Sequence, residues 1–167
     1  MAETATRNQI FLARVAVIAA IVLAVIGLVM YGISSDVYER IWKNIVDRPS
    51  GPMSFRFILQ PIMAAIAALH DGVKDARLGR DPYLWKILTD RHAAPGRLRE
   101  GVIATARIIL LGLGMDAIYQ AFVLKTFYPG EMVLVAILLA FIPYLLLRGP
   151  FARIASRWRA RDASGSR

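Results

Sequence analysis

Residues 55–77 read FRFILQPIMAAIAALHDGVKDAR. Only residues 55–69 are mostly apolar, and Arg56, Gln60 and Pro61 interrupt even those. A spanning helix needs about 20 mostly apolar residues, because roughly 30 Å of hydrocarbon is crossed at 1.5 Å per residue. By apolarity alone the segment falls short. Its periodicity reads differently. On a helix, Arg56, Gln60, Ala64, Ala67, Ala68 and Asp71 share one stripe, while Ile58, Leu59, Ile62, Ile66 and Leu69 take the other side. Such a helix can turn its polar and small face to protein and its branched face to lipid. Carried on through Arg77, with Gly79 as a stop, it becomes long enough to cross. The chain then has four spans; otherwise it has three.

The runs on either side are plainer. Residues 15–33 carry no charge. Residues 102–124 and 132–147 are separated only by 125–131, which hold Pro129-Gly130 and the aromatic pair Phe127-Tyr128. So short a connection makes the two helices antiparallel neighbours, with rings where headgroups begin. Pro143 falls inside the last of them and predicts a kink, since it removes a backbone donor. A secretory signal is the alternative for the first run, with Gly32 and Ser34 as its cleavage pattern, but the run exceeds the roughly 7 to 15 residues of a signal core. A retained helix is expected.

Composition agrees. Of 167 residues, 57% are hydrophobic and 20% charged, with a mean hydropathy of +0.49, against an apolar share of about 45 to 50% in soluble domains. The expected fold is all-α: an integral membrane bundle of four transmembrane helices with short amphipathic interfacial helices. It forms one multi-pass domain, residues 1–167, with spans at 15–33, 55–77, 102–124 and 132–147 and a basic tail at 148–167.

The 21 Lys and Arg against 12 Asp and Glu give a net charge of +9. With both termini cytoplasmic, four spans put 15 basic residues inside and 4 outside, as the positive-inside rule requires. Three spans with the N-terminus outside would put 16 inside and 3 outside, so charge does not choose between them. The stripe favours four. Arginine outnumbers lysine 17 to 4, which suggests a GC-rich bacterial genome and hence the bacterial inner membrane.

Outside the spans, residues 35–47 read as an amphipathic helix capped by Ser35 and Asp36, with Val37, Tyr38, Ile41, Trp42, Ile45 and Val46 on one face. Pro49-Ser50-Gly51-Pro52 then breaks the chain. A second short helix follows Asp81-Pro82 and presents Tyr83, Leu84, Trp85, Ile87 and Leu88. In the tail, Phe151, Ile154 and Trp158 are interleaved with Arg153, Arg157, Arg159 and Arg161, a pattern suited to anionic headgroups of the cytoplasmic leaflet. Trp42, Trp85 and Trp158 are the expected interfacial anchors. Because the basic tail directly follows a span, nucleic acid is not an expected partner. The lipid bilayer is, together with a membrane-protein partner or further copies of the chain.

The absence of Cys excludes disulfides, thiolate catalysis, Fe–S clusters and Cys-ligated zinc. His70 and His92 are far apart, and no GxSxG, HExxH, Walker or GxGxxG motif occurs, so neither metal nor cofactor is expected. Residues 71–77, DGVKDAR, resemble the start of the acidic helix motif of phosphatidyl-alcohol phosphotransferases. That resemblance implies an interfacial enzyme on lipid-linked substrates. A second Asp interrupts the motif here, and its later Gly and paired Asp are missing, so no catalytic residue is carried over.

Asp116 is a carboxylate within a span, where insertion costs about 2.5 to 3.5 kcal/mol unless it meets protein or a proton. It shares a stripe with Thr105, Gly112 and Gln120. Arg107 is rotated about 180° away and is expected to snorkel or to meet Asp71. Since the second and third spans run oppositely, Arg56, Gln60 and Asp116 fall in the same half. Arg56 and Asp116, supported by Gln60 and Gln120, are therefore expected to form the polar centre of the bundle. As a buried pair it would fix helix register; as a functional site it would take a proton or cation. Two function classes follow. One is a non-enzymatic accessory or assembly subunit acting through protein and lipid contacts. The other is a small oligomeric proton- or cation-coupled transporter or channel using Asp116, packed through Ala64-x-x-x-Ala68 and Gly112-x-Gly114.

Overall fold

The first helix, α1 (Arg7–Tyr31), begins with a reciprocal cap: Thr6 Oγ1 accepts from the Gln9 N–H and Gln9 Oε1 from the Thr6 N–H. It stops at Gly32, whose φ of 67° suits a residue without Cβ. The protein is described here from a computed structural model covering residues 5–165, with side chains from 5 to 161. After α1 come α2 (Ser35–Asp47), α3 (Arg56–Arg77), α4 (Tyr83–Thr89) and α5 (Ala94–Tyr119), the last extended by a π-turn, Gln120–Leu124. Then α6 (Pro129–Ala136), a second π-turn (Ile137–Phe141) and α7 (Ile142–Gly165) run on as one rod. Among the described residues there is no strand.

Three of these helical stretches are long and apolar enough to cross a membrane: Arg7–Tyr31, Ala94–Leu124 and Pro129–Arg161. α3 is not among them, because Arg56 at its start and Asp71, Lys74, Asp75 and Arg77 in its last two turns lower its hydropathy. Its packing nonetheless follows a stripe. Arg56, Gln60, Ala64, Ala68, Gly72 and Asp75 are buried, and Ile58, Leu59, Ile62, Ile66 and Leu69 are exposed. The buried line is straighter than expected: Ala67 and Asp71 lie at its edge, and Gly72 and Asp75 continue it.

The helices run between two ends. The hairpin end carries the α5–α6 connection and α2. The terminal end carries the start of α1, the α3–α5 connection and the body of α7 beyond Arg148. Close contacts set the order. Gly27 of α1 meets Gly130 of α6, where an added Cβ would stand 2.6 Å from the Gly130 nitrogen. Gly112 of α5 packs on Gln60 and Ala136. Gly72 of α3 meets α7, and a Cβ there would lie 2.8 Å from the Arg148 carbonyl oxygen and 3.0 Å from the Ala152 nitrogen. Both obstacles are backbone, so no side chain can swing aside. Gly72→Ala is expected to lower stability by about 1 to 3 kcal/mol, read as a lower melting temperature in detergent, whereas Gly96→Ala, with nothing within 4 Å, leaves it unchanged.

Several boundaries differ from the sequence expectation. α5 starts at Ala94 rather than 102, and α6 at Pro129 rather than 132. Pro129 occupies a first-turn position where a missing N–H costs nothing. The α2 cap is Ser34, whose Oγ accepts from the Val37 N–H at 3.3 Å, in place of Ser35 and Asp36. α7 passes through Gly149 and Pro150 without a break, so residues 148–165 prolong the rod. Just before Pro143 the rod holds the π-turn, Ile137–Phe141, at whose end the Ile142 N–H donates to the Ile137 carbonyl. Gly114 has nothing within 4 Å. Only Gly112 forms the notch, and it serves contacts within the chain, as do Ala64 and Ala68, which are fully buried.

Candidate functional site

At the hairpin end, four elements converge on two carboxylates. Asp116 projects from α5, and its Oδ1 accepts from Arg56 at the start of α3 and from Nη1 of Arg48 at the end of α2. Its Oδ2 accepts from Gln120 Nε2 at 2.8 Å. Glu131, in the first turn of α6, takes Arg48 Nη2 at 3.2 Å, Asn44 Nδ2 at 3.0 and 3.2 Å, and Arg40 Nε at 3.4 Å. Arg48, Arg56, Asp116 and Glu131 are each buried, and their formal charges cancel. Both guanidiniums of Arg48 and Arg56 also sit over the Tyr119 ring, at 5.2 and 5.4 Å from its centroid.

Local sequence explains how the groups arrive. Asp116 and Gln120 are four apart on one helical face. Gln120 also closes the connection, donating to the Tyr128 carbonyl at 3.0 Å and accepting from the Tyr128 N–H at 2.7 Å. α2 has three faces. Arg40, Asn44 and Arg48 point to the cluster. Glu39, Lys43 and Asp47 are exposed and polar, and Tyr38, Trp42 and Val46 are exposed and apolar. Arg40 is held between the rings of Tyr31 and Tyr128, 4.7 and 4.3 Å from their centroids.

Of the residues expected in the polar centre, Arg56, Asp116 and Gln120 are bonded to one another through the Asp116 carboxylate. Gln60 is not. It is buried one turn along α3, with Nε2 3.9 Å from Met115 Sδ; its Oε1, like Arg48 Nε and Arg56 Nη1, has no hydrogen-bond partner among the described residues. The cluster lies toward the hairpin end, at the level of the first turn of α6. The reason is that Arg48 and Glu131, which read as residues of water-exposed connections, are drawn into it. Glu131 carries a helix-start signal that points this way: Pro129 and Glu131 stand at the first and third positions of α6.

A second cluster occupies the terminal end. Asp75, buried on α3, receives Arg148 of α7 through Nε at 2.7 Å and Nη2 at 3.1 Å, a two-pronged bond. Arg97 Nη1 of α5 adds a third contact at 3.2 Å, and Arg80 approaches at 3.5 Å. Glu100 takes Arg148 at 3.0 Å and Arg97 at 3.2 Å. Asp71 accepts from the Tyr144 hydroxyl at 2.6 Å, and Tyr144 accepts from Arg148. Three carboxylates thus face three guanidiniums. The expected contact of Asp71 with Arg107 is absent, since Arg107 is exposed. Tyr83 of α4, expected on an exposed apolar face, is fully buried; its ring lies 4.2 Å from the Arg148 guanidinium carbon and its hydroxyl donates to the Arg97 carbonyl at 2.6 Å. Burial pushes that hydroxyl up to about 12, with Arg148 opposing, so Tyr83 stays a neutral donor across the physiological range. Just before α5, Asp90 accepts from the His92 and Ala93 N–H groups, which with Lys86 hold its carboxyl below the usual range.

Trp42, Trp85 and Trp158 are 61%, 63% and 67% exposed, each on a different helix. Among the described residues no group of three or more His, Asp or Glu is placed to hold a metal ion. No family model, curated protein or solved structure matches the chain. The assignment therefore rests on the two charge clusters and the faces around them.

Proposed function

We propose that the protein is a four-span bacterial inner-membrane protein with both termini cytoplasmic, a non-enzymatic accessory or assembly subunit whose buried charge clusters clamp the bundle at its two ends. The fourth span is α3. Its Arg56 end meets Asp116 and its Asp75 end meets Arg97 and Arg148. The 19 residue steps from Arg56 to Asp75 cover about 28 Å at 1.5 Å per residue, the thickness of a hydrocarbon core. The charges that lower the hydropathy of α3 sit at its two ends, and between them its branched aliphatic side is open. The basic excess on the terminal side supports the orientation.

One observation carries the non-transport reading. Asp116 has both carboxylate oxygens engaged, one by two arginines and the other by Gln120. A carboxylate held that way is poorly suited to exchange a proton or cation, and serves as the tie between α2, α3 and α5. Exposed apolar side chains on α4, chiefly Trp85 and Leu88, provide surface for a membrane or protein partner on the terminal side.

Purification from native membranes under mild detergent, followed by reconstitution, tests the proposal. The expected result is a stoichiometric protein partner and no pH-dependent ion flux in proteoliposomes. A homo-oligomer whose pH-dependent flux disappears in Asp116→Asn would replace the accessory role with transport.

A further inference from the structure

A cleft of about 300 Å³ opens between α1 and α5 near the terminal end, lined by Ile10, Ala13, Arg14, Val17, Ile18, Arg99, Val102 and Ile103. Its two cationic side chains differ from those of the clusters: Arg14 and Arg99 are exposed and have no ionic or hydrogen-bonding partner among the described residues. They come from different helices and line the same cleft. Val17, Ile18, Val102 and Ile103 line it on the side of Arg14 and Arg99 toward the middle of the bundle, and the smaller stretch Ile10 and Ala13 of α1 lines it on the terminal side. Arg99 is two residues from Arg97, one of the groups marking that end, hence about 3 Å from its level.

We propose that this cleft is a binding site for an anionic phospholipid of the leaflet at the terminal end. Its phosphate is held between the Arg14 and Arg99 guanidiniums, and an acyl chain lies along the four branched side chains. Two observations select this occupant. The unpaired charges call for an anion, and guanidinium forks match phosphate oxygens in geometry. The larger aliphatic stretch of the cleft lies inward of the two arginines, as a lipid's chain lies inward of its headgroup; a free phosphate leaves that stretch uncovered. The site is lined by α1 and α5 alone and includes none of the basic residues of the α7 tail. It rests on the membrane reading of the chain but not on the accessory role.

Native mass spectrometry of the full chain released from nanodiscs of mixed phosphatidylglycerol and phosphatidylcholine tests it, with inorganic phosphate added in a parallel arm. The expected result is one retained phosphatidylglycerol per chain. In the double variant Arg14→Gln/Arg99→Gln its binding should weaken roughly thirtyfold, since each basic residue near a headgroup contributes about fivefold. Retention should persist in Arg153→Gln/Arg157→Gln, which reduces tail charge only. Because Arg14 and Arg99 are exposed, the double variant should melt like the wild type. If it fails to fold, the lipid selectivity of the wild type still decides. Equal retention of phosphatidylcholine, equal retention by the double variant, or full competition by inorganic phosphate would each overturn the site while leaving the membrane reading intact. Retention of no lipid at all would likewise overturn the site.

Discussion

Asp116→Asn is expected to lower the stability of the purified protein by about 3 to 5 kcal/mol, the cost of leaving buried charge without its counter-ion. Arg48 and Arg56 both bond to Oδ1 of that carboxylate, and both are buried. An asparagine side chain keeps the shape and one acceptor but supplies no negative charge, so two guanidiniums remain with Glu131 alone between them. Arg56→Gln should also destabilise. The double variant Asp116→Asn/Arg56→Gln should lose less than the sum, because the second change removes a charge the first has stranded. Thermal melting of the four proteins in one detergent measures this cycle. Strictly additive losses would mean that the two groups do not interact.

The other large effect belongs to the terminal end. Asp75→Asn is expected to cost about 3 to 5 kcal/mol by the same mechanism, since Arg148 and Arg97 point at its carboxylate and Arg80 approaches it. Asp71→Asn, only four residues earlier, should cost no more than about 1.5 kcal/mol. Asp71 is partly open to solvent, its 4.0 Å contact with Arg148 is long, and an amide oxygen can still accept from Tyr144. The contrast matters because both aspartates lie on α3 and look alike in composition. A melt in which Asp71→Asn is the more damaging of the two would refute the assignment of Asp75 as the inner clamp.

Neither clamp is worth much as a net contribution to folding. Desolvation offsets most of the attraction in a buried ion pair, and replacing a whole pair by apolar groups can be neutral or better. In the bundle proposed here such clusters supply register. On a helix whose other buried residues are Gln60, Ala64, Ala68 and Gly72, the small side chains alone would permit sliding by a turn. Charges at both ends make every alternative register strand a guanidinium or a carboxylate.

The apolar runs of α1, α5 and the α6–α7 rod are legible from sequence because lipid-facing helices carry their signal in composition. α3 is legible only by periodicity: its outward side is Ile58, Leu59, Ile62, Ile66 and Leu69, while its inward side averages the hydropathy down. The meeting of Arg56, Asp116 and Gln120 follows from counting residues along two antiparallel helices. Arg48 and Glu131 escape such counting because a charge in a connection is ordinarily solvated, and nothing local says that α2 folds back over the bundle. Asp75 and Arg148 are 73 residues apart and sit at the margins of different apolar runs, where charges are commonplace. The available clue was the small-residue line itself: extended from Ala64 and Ala68 to Gly72, it arrives at Asp75 rather than Asp71.

The account depends on α3 passing through the membrane between its two charged ends. The chain contains no cysteine, so single cysteines can be introduced at Ser50 and at His92, both exposed, and probed with a membrane-impermeant maleimide in intact cells. Labelling of Ser50→Cys in intact cells, and of His92→Cys only after permeabilisation, is the predicted result. Reaction of both from the same side would contradict it and return the chain to three spans.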